Sequence, residues 1–277
     1  MSDYFGITRE RIFSPGKVEA DAAVLEAVAD RLRQLGHVVS VFSGDAPKWP
    51  DTDGATTVFT MCQGTGALER LSVWRARGVR VVNSPQAILN CQRQRTVALL
   101  KGAGVPFPES LLVQTDAHVC LPEWVSGGAW VKRGDVHATE AADVLRVDSV
   151  DAAGAALRAF HTRGIRHAVV QQHVPGTVLK FYAVLGSFFH CVPPSGVAPV
   201  PLTVLVQMRA LGARAARALG VEIYGGDCVY DAQRDALGLI DLNDWPSYAS
   251  CRAAAATEIA AYLHARDVAS GSSTAVW

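Results

Sequence analysis

The sequence predicts an α/β unit built on a parallel sheet, followed by two α+β units. Three observations carry that prediction. Residues 4–83 alternate strand-like and helix-like segments. Residues from about 110 to 175 hold several short apolar runs around a single helix-like stretch. The segment from Leu219 to Tyr248 reads as two apolar runs joined by a polar turn. A β-α-β rhythm places helices on the faces of a parallel sheet, whereas strands gathered around one helix argue for α+β.

The elements follow in order. Residues 4–7 are a short strand candidate. Val18, Ala22, Leu25, Ala29 and Leu32 recur at helical spacing, predicting an amphipathic helix over 17–35 that Gly36 ends. Strands over 37–42 and 56–61, a helix near 67–77 and a strand at 79–82 complete the first unit. Asn83-Ser84-Pro85 opens a new section, with helices near 85–90 and 93–101. Gly102, Gly104, Pro106 and Pro108 stop the second of these. Strands are predicted near 111–114, 129–133, 144–147 and 167–173, with a helix near 151–163. From 176 on come further strands, a helix near 202–219, the hairpin, and a last helix near 249–266. The tail from Ser270 reads as frayed. The expected units are residues 1–84, 85–175 and 176–277.

Composition narrows the function classes. The chain has 277 residues, a formal net charge of +0 and 49% hydrophobic residues. A neutral balance gives no electrostatic case for nucleic acid or an anionic membrane as partner. The six cysteines are scattered without a C-x-x-C pair. They form neither a zinc nor a disulfide framework, which fits a reducing cytoplasm. The N-terminal residues lack the apolar stretch of a signal peptide, and no run of about 18 apolar residues occurs. No H-E-x-x-H, G-x-S-x-G or Walker A sequence is present.

The hairpin carries the clearest chemistry. Asp227 lies in its first run, Asp241 and Asn243 in its second, with polar residues Asp231 to Asp235 and Gly238 between. Residues two apart on a strand share a face, so Asp241 and Asn243 point the same way. Ile240 and Leu242 are then expected to face the core. A neighbouring strand can bring Asp227 alongside. Three hard oxygen ligands on a sheet suit Mg²⁺, which keeps several waters and shares phosphate oxygens with a nucleotide.

G-x-D, a hairpin, then acid-x-Asn with a Pro soon after resembles the metal-binding end of the ATP-grasp superfamily. The nearest flavour is that of glutathione synthetase and the ribosomal-protein glutamate ligases. The run VVNSPQAILNCQRQRTVALLKGAGVPFPES resembles the section that leads into the nucleotide-binding part of those enzymes. The resemblance spans about residues 80–250. It implies an ATP-grasp fold, in which two α+β subdomains clasp ATP behind an N-terminal parallel-sheet domain. It implies ATP with Mg²⁺ (or Mn²⁺) as cofactors, and a metal site at Asp227, Asp241 and Asn243. The partners it implies are a small-molecule or peptide carboxylate and an amine acceptor, with a homo-oligomeric assembly as in related enzymes. The reaction implied is ADP-forming amide or peptide bond formation through an acylphosphate.

Site residues follow from the same resemblance. Lys132, at the end of the strand Ala129-Trp130-Val131, matches a lysine that reaches the α- and β-phosphates. Arg93 stands where another phosphate-contacting lysine is usual, with Arg95 as the alternative. Val169 to Val174 resembles the strand and hinge that meet adenine, which brings in Gln171, Gln172, His173 and Val174. Lys180 stands near the transferred phosphate in that alignment of motifs; its own neighbours fit either a cleft or a solvent face. Lys180 and Arg93 are the implied catalytic cations. Ser247, as a helix start or N-cap, and the loop Gln63-Gly64 are implied substrate contacts. Two departures stand out. The segment after Lys132 holds one glycine where the family has a Gly- and Ser-rich loop, so Arg133 or His137 would supply donors instead. The arginine-rich segment after Lys180 is reduced to residues 188–194, FFHCVPP.

Three other readings compete. A small-molecule kinase would use the same nucleotide site without ligation. A nucleotide-binding regulatory module would bind without turnover. A Rossmann oxidoreductase would use the Gln63 to Gly66 loop, which lacks the third glycine of that fingerprint.

Overall fold

A computed structural model describes residues 3–52, 56–116, 119–136, 138–196 and 199–272. The first sheet is parallel and comprises β1 (Asp3–Ile7), β2 (Val38–Phe42), β3 (Thr56–Thr60) and β4 (Arg80–Val82), in the order β2-β1-β3-β4. Helix α1 (Val18–Gln34) follows β1, and α2 (Thr65–Ala76) follows β3. Helix α2 begins two residues before the expected start, because Gly64 in extended conformation lets Thr65 open it. Of the expected α1 stripe, Leu25, Ala29 and Leu32 are fully buried, Val18 is exposed at the helix start and Ala22 is half-buried; Val24 and Val28 complete the buried face.

Two short helices, α3 (Pro85–Asn90) and α4 (Arg93–Gly102), lead onward. Ser84 caps α3 by accepting from the Ala87 N–H at 3.2 Å, with Pro85 at the first turn. The second sheet is antiparallel: β5 (Ser110–Gln114), β6 (Ala129–Arg133), β7 (Val144–Val147) and β8 (His167–Gln172), ordered β5-β8-β6-β7. Helix α5 (Val150–Thr162) covers one face through Ala153, Ala156, Leu157 and Phe160.

The third sheet is also antiparallel. Its strands β9 (Thr177–Val184), β10 (Phe188–Val192), β11 (Ile223–Asp231) and β12 (Ala236–Asp244) are ordered β10-β9-β11-β12. Helix α6 (Leu202–Leu219) packs Val204, Met208, Ala215 and Leu219 onto it. The last helix, α7 (Arg252–Ser272), leaves this sheet and packs on α1, so the chain's end shares the core of its beginning. It starts three residues later than expected and includes Ser270, which the sequence reading placed in a frayed tail. Among the described residues, no helix is long and apolar enough to cross a membrane.

One side chain ties the first sheet to the third. Asn83, fully buried at the end of β4, donates to the Ile223 carbonyl at 2.7 Å. Its Oδ1 accepts from the Glu222 and Ile223 N–H groups at 2.8 and 3.0 Å. A satisfied buried amide of this kind fixes where β11 begins, and hence where Asp227 sits.

Candidate functional site

The strand register brings three charged residues into line. Asp227 on β11 pairs with Lys180 on β9 and with Asp241 on β12. Lys180 Nζ donates to Asp227 Oδ1 at 2.7 Å. Asn243 is two residues along from Asp241 on the same strand, opposite Gly225. The backbone approaches closely here. A Cβ on Gly226 would lie 2.5 Å from the Asp241 carbonyl oxygen and 2.9 Å from Phe181 Cζ. Glycine at 226 is therefore what lets β11 and β12 hold the acid residues at this separation.

The register shifts between Asp227 and Cys228, whose partners are Asp241 and Leu239. Ile240 is the residue skipped. This β-bulge overturns the expectation that Ile240 faces the core: Leu239 and Leu242 are both buried there, and Ile240 turns out to line a slot. The bulge breaks the two-residue alternation on which the expectation rested.

That slot, about 250 Å³, lies between the second and third sheets. Trp130, Val144, Val174, Val178, Val229 and Ile240 form its apolar part. Arg93, Lys132, Gln171, Asp227 and Asp241 form its polar end. Gln172 and His173 line it where the chain leaves β8. The Gln172 N–H donates to Glu109 O at 2.8 Å and the His173 N–H to Gly128 O at 3.0 Å, fixing that edge. Trp130 Nε1 donates to His173 Nδ1 at 3.2 Å, which requires an unprotonated Nδ1. Burial, with the nearby Arg146 charge, lowers the His173 pKa and agrees with that state.

Lys132 is 7% exposed and donates to Gln171 Oε1 at 2.6 Å and to Ile240 O at 3.4 Å. Burial pulls its ammonium from 10.5 down to about 8; Asp241 opposes this, Arg93 adds to it, and Asp227 opposes it. Lys180 shows the opposite balance. Burial lowers its pKa, but the Asp227 charge and hydrogen bond outweigh that, and the net shift is upward. Arg93 donates through Nη2 to Asp241 Oδ2 at 2.8 Å and through Nη1 to Arg133 O at 3.4 Å. Its Nε is buried without a partner. The Arg93 guanidinium and the Lys132 ammonium thus concentrate positive charge at this end of the slot, with hydrogen-bond donors of the kind that suit an anion.

Among the described residues, no three His, Cys, Asp or Glu side chains gather as a metal cluster. The third oxygen on this surface is the amide of Asn243. Two carboxylates and an amide, flanked by Arg93 and Lys180, fit a hard divalent cation whose other ligands are waters and phosphate oxygens.

A second cavity of about 260 Å³ adjoins the first and shares Arg93 with it. Lys180, Tyr182, Asn243, Asp244, Pro246 and Ser247 line one side, and Arg9, Phe13, Ser14 and Asp21 the other. Arg9 is held by Met61 O at 3.2 Å, Trp245 O at 2.6 Å and Asp21 at 3.5 Å. Trp245 and Tyr248 have positive φ, +30° and +49°. The buried Tyr248 hydroxyl, donating to Ala183 O or Tyr224 O, holds this strained turn against β9 and β11.

The structure thus gathers Arg93, Lys132, Gln171, Gln172, His173, Val174, Asp227 and Asp241 at the first cavity. Lys180, Asn243 and Ser247 line the second. Ser247 is not a helix cap, since α7 begins at Arg252. Arg133 lines neither cavity: it shares a strand face with Val131, away from Lys132, and its guanidinium pairs with Asp135 at 2.6 Å. His137 lies outside the described residues. Gln63 and Gly64 do not offer free N–H groups, because both donate to the Glu10 carboxylate at 3.0 Å. Gln63 instead reaches Asp244 Oδ1 through Nε2 at 3.2 Å. Sequence reasoning missed Trp130, which shares a strand face with Lys132 and was legible by parity. It also missed Arg9 and Glu10, whose partners lie far along the chain, and Asp21, which binds Ser14 and Arg9.

No protein-family model matches the sequence, and no curated protein does. Solved structures do match. A D-alanine–D-alanine ligase from Bacillus anthracis, complexed with ATP, superposes with a TM-score of 0.70 at 10% identity, over 96% of this chain and 100% of that one. D-alanyl-alanine synthetase A from Vibrio cholerae O1 biovar eltor str. N16961 gives 0.70 at 13% identity, over 96% and 97%. A RimK domain ATP-grasp protein from Sphaerobacter thermophilus DSM 20745 gives 0.67 at 17% identity, over 94% and 99%. From its first strand to its last helix, the chain has the ATP-grasp fold.

Proposed function

We propose that the chain is an ATP- and Mg²⁺-dependent ligase that joins a carboxylate to an amine and releases ADP and phosphate. The observation that carries this reading is the convergence of Lys132, Arg93, Asp227 and Asp241 at the polar end of one apolar slot, with Lys180 beside it. The fold neighbours support it: one is a D-alanine–D-alanine ligase complexed with ATP, one a D-alanyl-alanine synthetase and one a RimK domain ATP-grasp protein.

In this reading the apolar part of the slot takes the adenine ring between Trp130, Val229 and Ile240. Lys132 and Arg93 offset the charge of the phosphates. Asp227, Asp241 and Asn243 would hold Mg²⁺, which supplies charge neutralisation at the transferred phosphoryl group. Lys180 stands at the boundary of the two cavities, where it meets both the phosphates and the substrate carboxylate. The carboxylate oxygen attacks the γ-phosphorus and the bond to ADP breaks. An amine then attacks the acyl carbon of the acylphosphate and phosphate leaves. Positioning and fixed charge do most of this work, so no activated side-chain nucleophile is needed. The second cavity, with Ser247 and Asn243 in its wall, is the place for the acid and the amine.

ADP release measured over a panel of acids and amines tests the reading. Release that needs both partners, with one amide formed per ADP, is the expected result. A phosphorylated product formed without any amine would replace the ligase with a kinase.

A further inference from the structure

The described residues between β6 and β7 are tied down at both ends by hydrogen bonds and ion pairs. At its start, Arg133 binds Asp135 through Nε and Nη2, at 2.6 and 3.2 Å. The Gly134 N–H donates to His167 O at 2.9 Å, and Gly134 O accepts from the Gln94 N–H at 3.0 Å. At its end stands Asp143, whose side chain is fully buried. Asp143 Oδ2 accepts from the Thr139 N–H at 2.8 Å, the Thr139 hydroxyl at 3.0 Å and the Glu140 N–H at 3.3 Å. Arg163 pairs with Asp143 and with Glu140, and Arg133 Nη1 stands 3.7 Å from Asp143. Burial opposes ionisation of Asp143, but these donors outweigh it and hold its pKa below the ordinary value.

The tethered segment reaches the junction of the two cavities. Ala138 lines the second cavity beside Lys180 and Arg93. Val136 closes a gap against Gln63, Gln92 and Asp244. Arg133 O accepts from Arg93 Nη1, so the same stretch of backbone helps aim the cation that both cavities share.

We infer that Asp143, acting through Thr139 and Arg133, is a positioning residue. It fixes Thr139 and Glu140, with Arg133 and through it Arg93, where the outermost phosphate of a bound nucleoside triphosphate meets the second substrate. The inference rests on the proposed nucleotide site. A group that holds only the outermost phosphate in place affects triphosphate binding and leaves monophosphate binding alone. A residue that matters only for folding weakens both alike.

The test is calorimetric titration of AMP-PNP with Mg²⁺, and separately of AMP, into the full chain, Asp143→Asn and Thr139→Val. Thr139→Val keeps the shape of a partly exposed residue and serves if Asp143→Asn does not fold. Loss of hydrogen bonds to a charged group predicts a rise of about tenfold or more in the AMP-PNP Kd for Asp143→Asn and a few-fold for Thr139→Val. AMP affinity stays within about twofold in each variant. Equal weakening of both nucleotides, or no change in either, overturns the inference while leaving the nucleotide site standing. Failure of the unmodified chain to bind either nucleotide removes the nucleotide site itself.

Discussion

Arg93 reaches across 148 residues of sequence to donate to Asp241 at 2.8 Å, so one carboxylate of the candidate metal site already carries its own cation. Lys180 does the same for Asp227 at 2.7 Å. A divalent ion arriving alone must compete with both. A nucleotide arriving with the ion offers its phosphates to the two displaced cations, and charge stays balanced. The expected outcome is negligible heat when Mg²⁺ is titrated alone into the protein, and clear binding when Mg²⁺ and ATP enter together. Tight binding of Mg²⁺ alone would show that the two ion pairs do not guard the site.

Lys132 sets a pH dependence. With its pKa lowered to about 8 by burial, its ammonium is lost above that pH in the empty protein. Bound phosphates favour the charged form, so affinity for Mg·AMP-PNP is flat below about pH 8 and falls toward tenfold per unit above it. Stability moves the other way. Between about 8 and 10.5 the unfolded chain binds the proton that the folded chain has released, so folding becomes more favourable as pH rises through that window. Titration calorimetry and thermal melts across pH 7–10 read both trends. A Lys132→Met variant loses both trends and the nucleotide affinity, and keeps a Tm at or above that of the parent.

Lys180 separates function from stability. Its side chain is about half exposed, and an exposed pair contributes roughly 0–1 kcal/mol. Lys180→Gln is therefore expected to shift Tm by no more than about 3 °C. ADP formation falls by roughly a hundredfold or more, the size of effect seen when one fixed charge is removed from a developing anion. A large loss of Tm with little loss of turnover would make Lys180 a structural residue.

Gly226 tests the strand geometry beneath the metal site. A methyl group there meets the Asp241 carbonyl at 2.5 Å and the Phe181 ring at 2.9 Å. Gly226→Ala must push β12 away from β11 or displace Phe181, at a cost of about 1–3 kcal/mol. Lower Tm and weaker Mg·AMP-PNP binding are expected together. Unchanged binding in a well-folded Gly226→Ala protein would show that the close approach does not set the position of Asp241.

Periodicity made most of the fold legible. Much of the buried face of α1 and the Asp241–Asn243 pair follow from local spacing, and apart from the start of α2 and both ends of α7 the strands and helices fall close to where spacing puts them. What was illegible depends on contacts between distant residues. Nothing local says that β11 slips by one residue at Asp227, so Ile240 was assigned to the core instead of the slot. Nothing near Gln63 and Gly64 says that Glu10, some fifty residues earlier, takes their N–H groups. The sequence reading makes Arg133, with His137 as the alternative, a phosphate donor because the segment after Lys132 holds one glycine where the family has a glycine-rich loop. Strand parity places it on the other face, where Asp135 and Asp143 hold it.

The central claim is that one end of the apolar slot binds the triphosphate of ATP together with a divalent ion. Calorimetric titration of ATP with Mg²⁺ into the parent protein and Asp241→Ala tests it most directly. The account predicts Mg²⁺-dependent binding to the parent and a loss of about tenfold or more in Asp241→Ala, the effect of removing one charged ligand. Absence of ATP binding in both proteins, or equal binding in both, would contradict it.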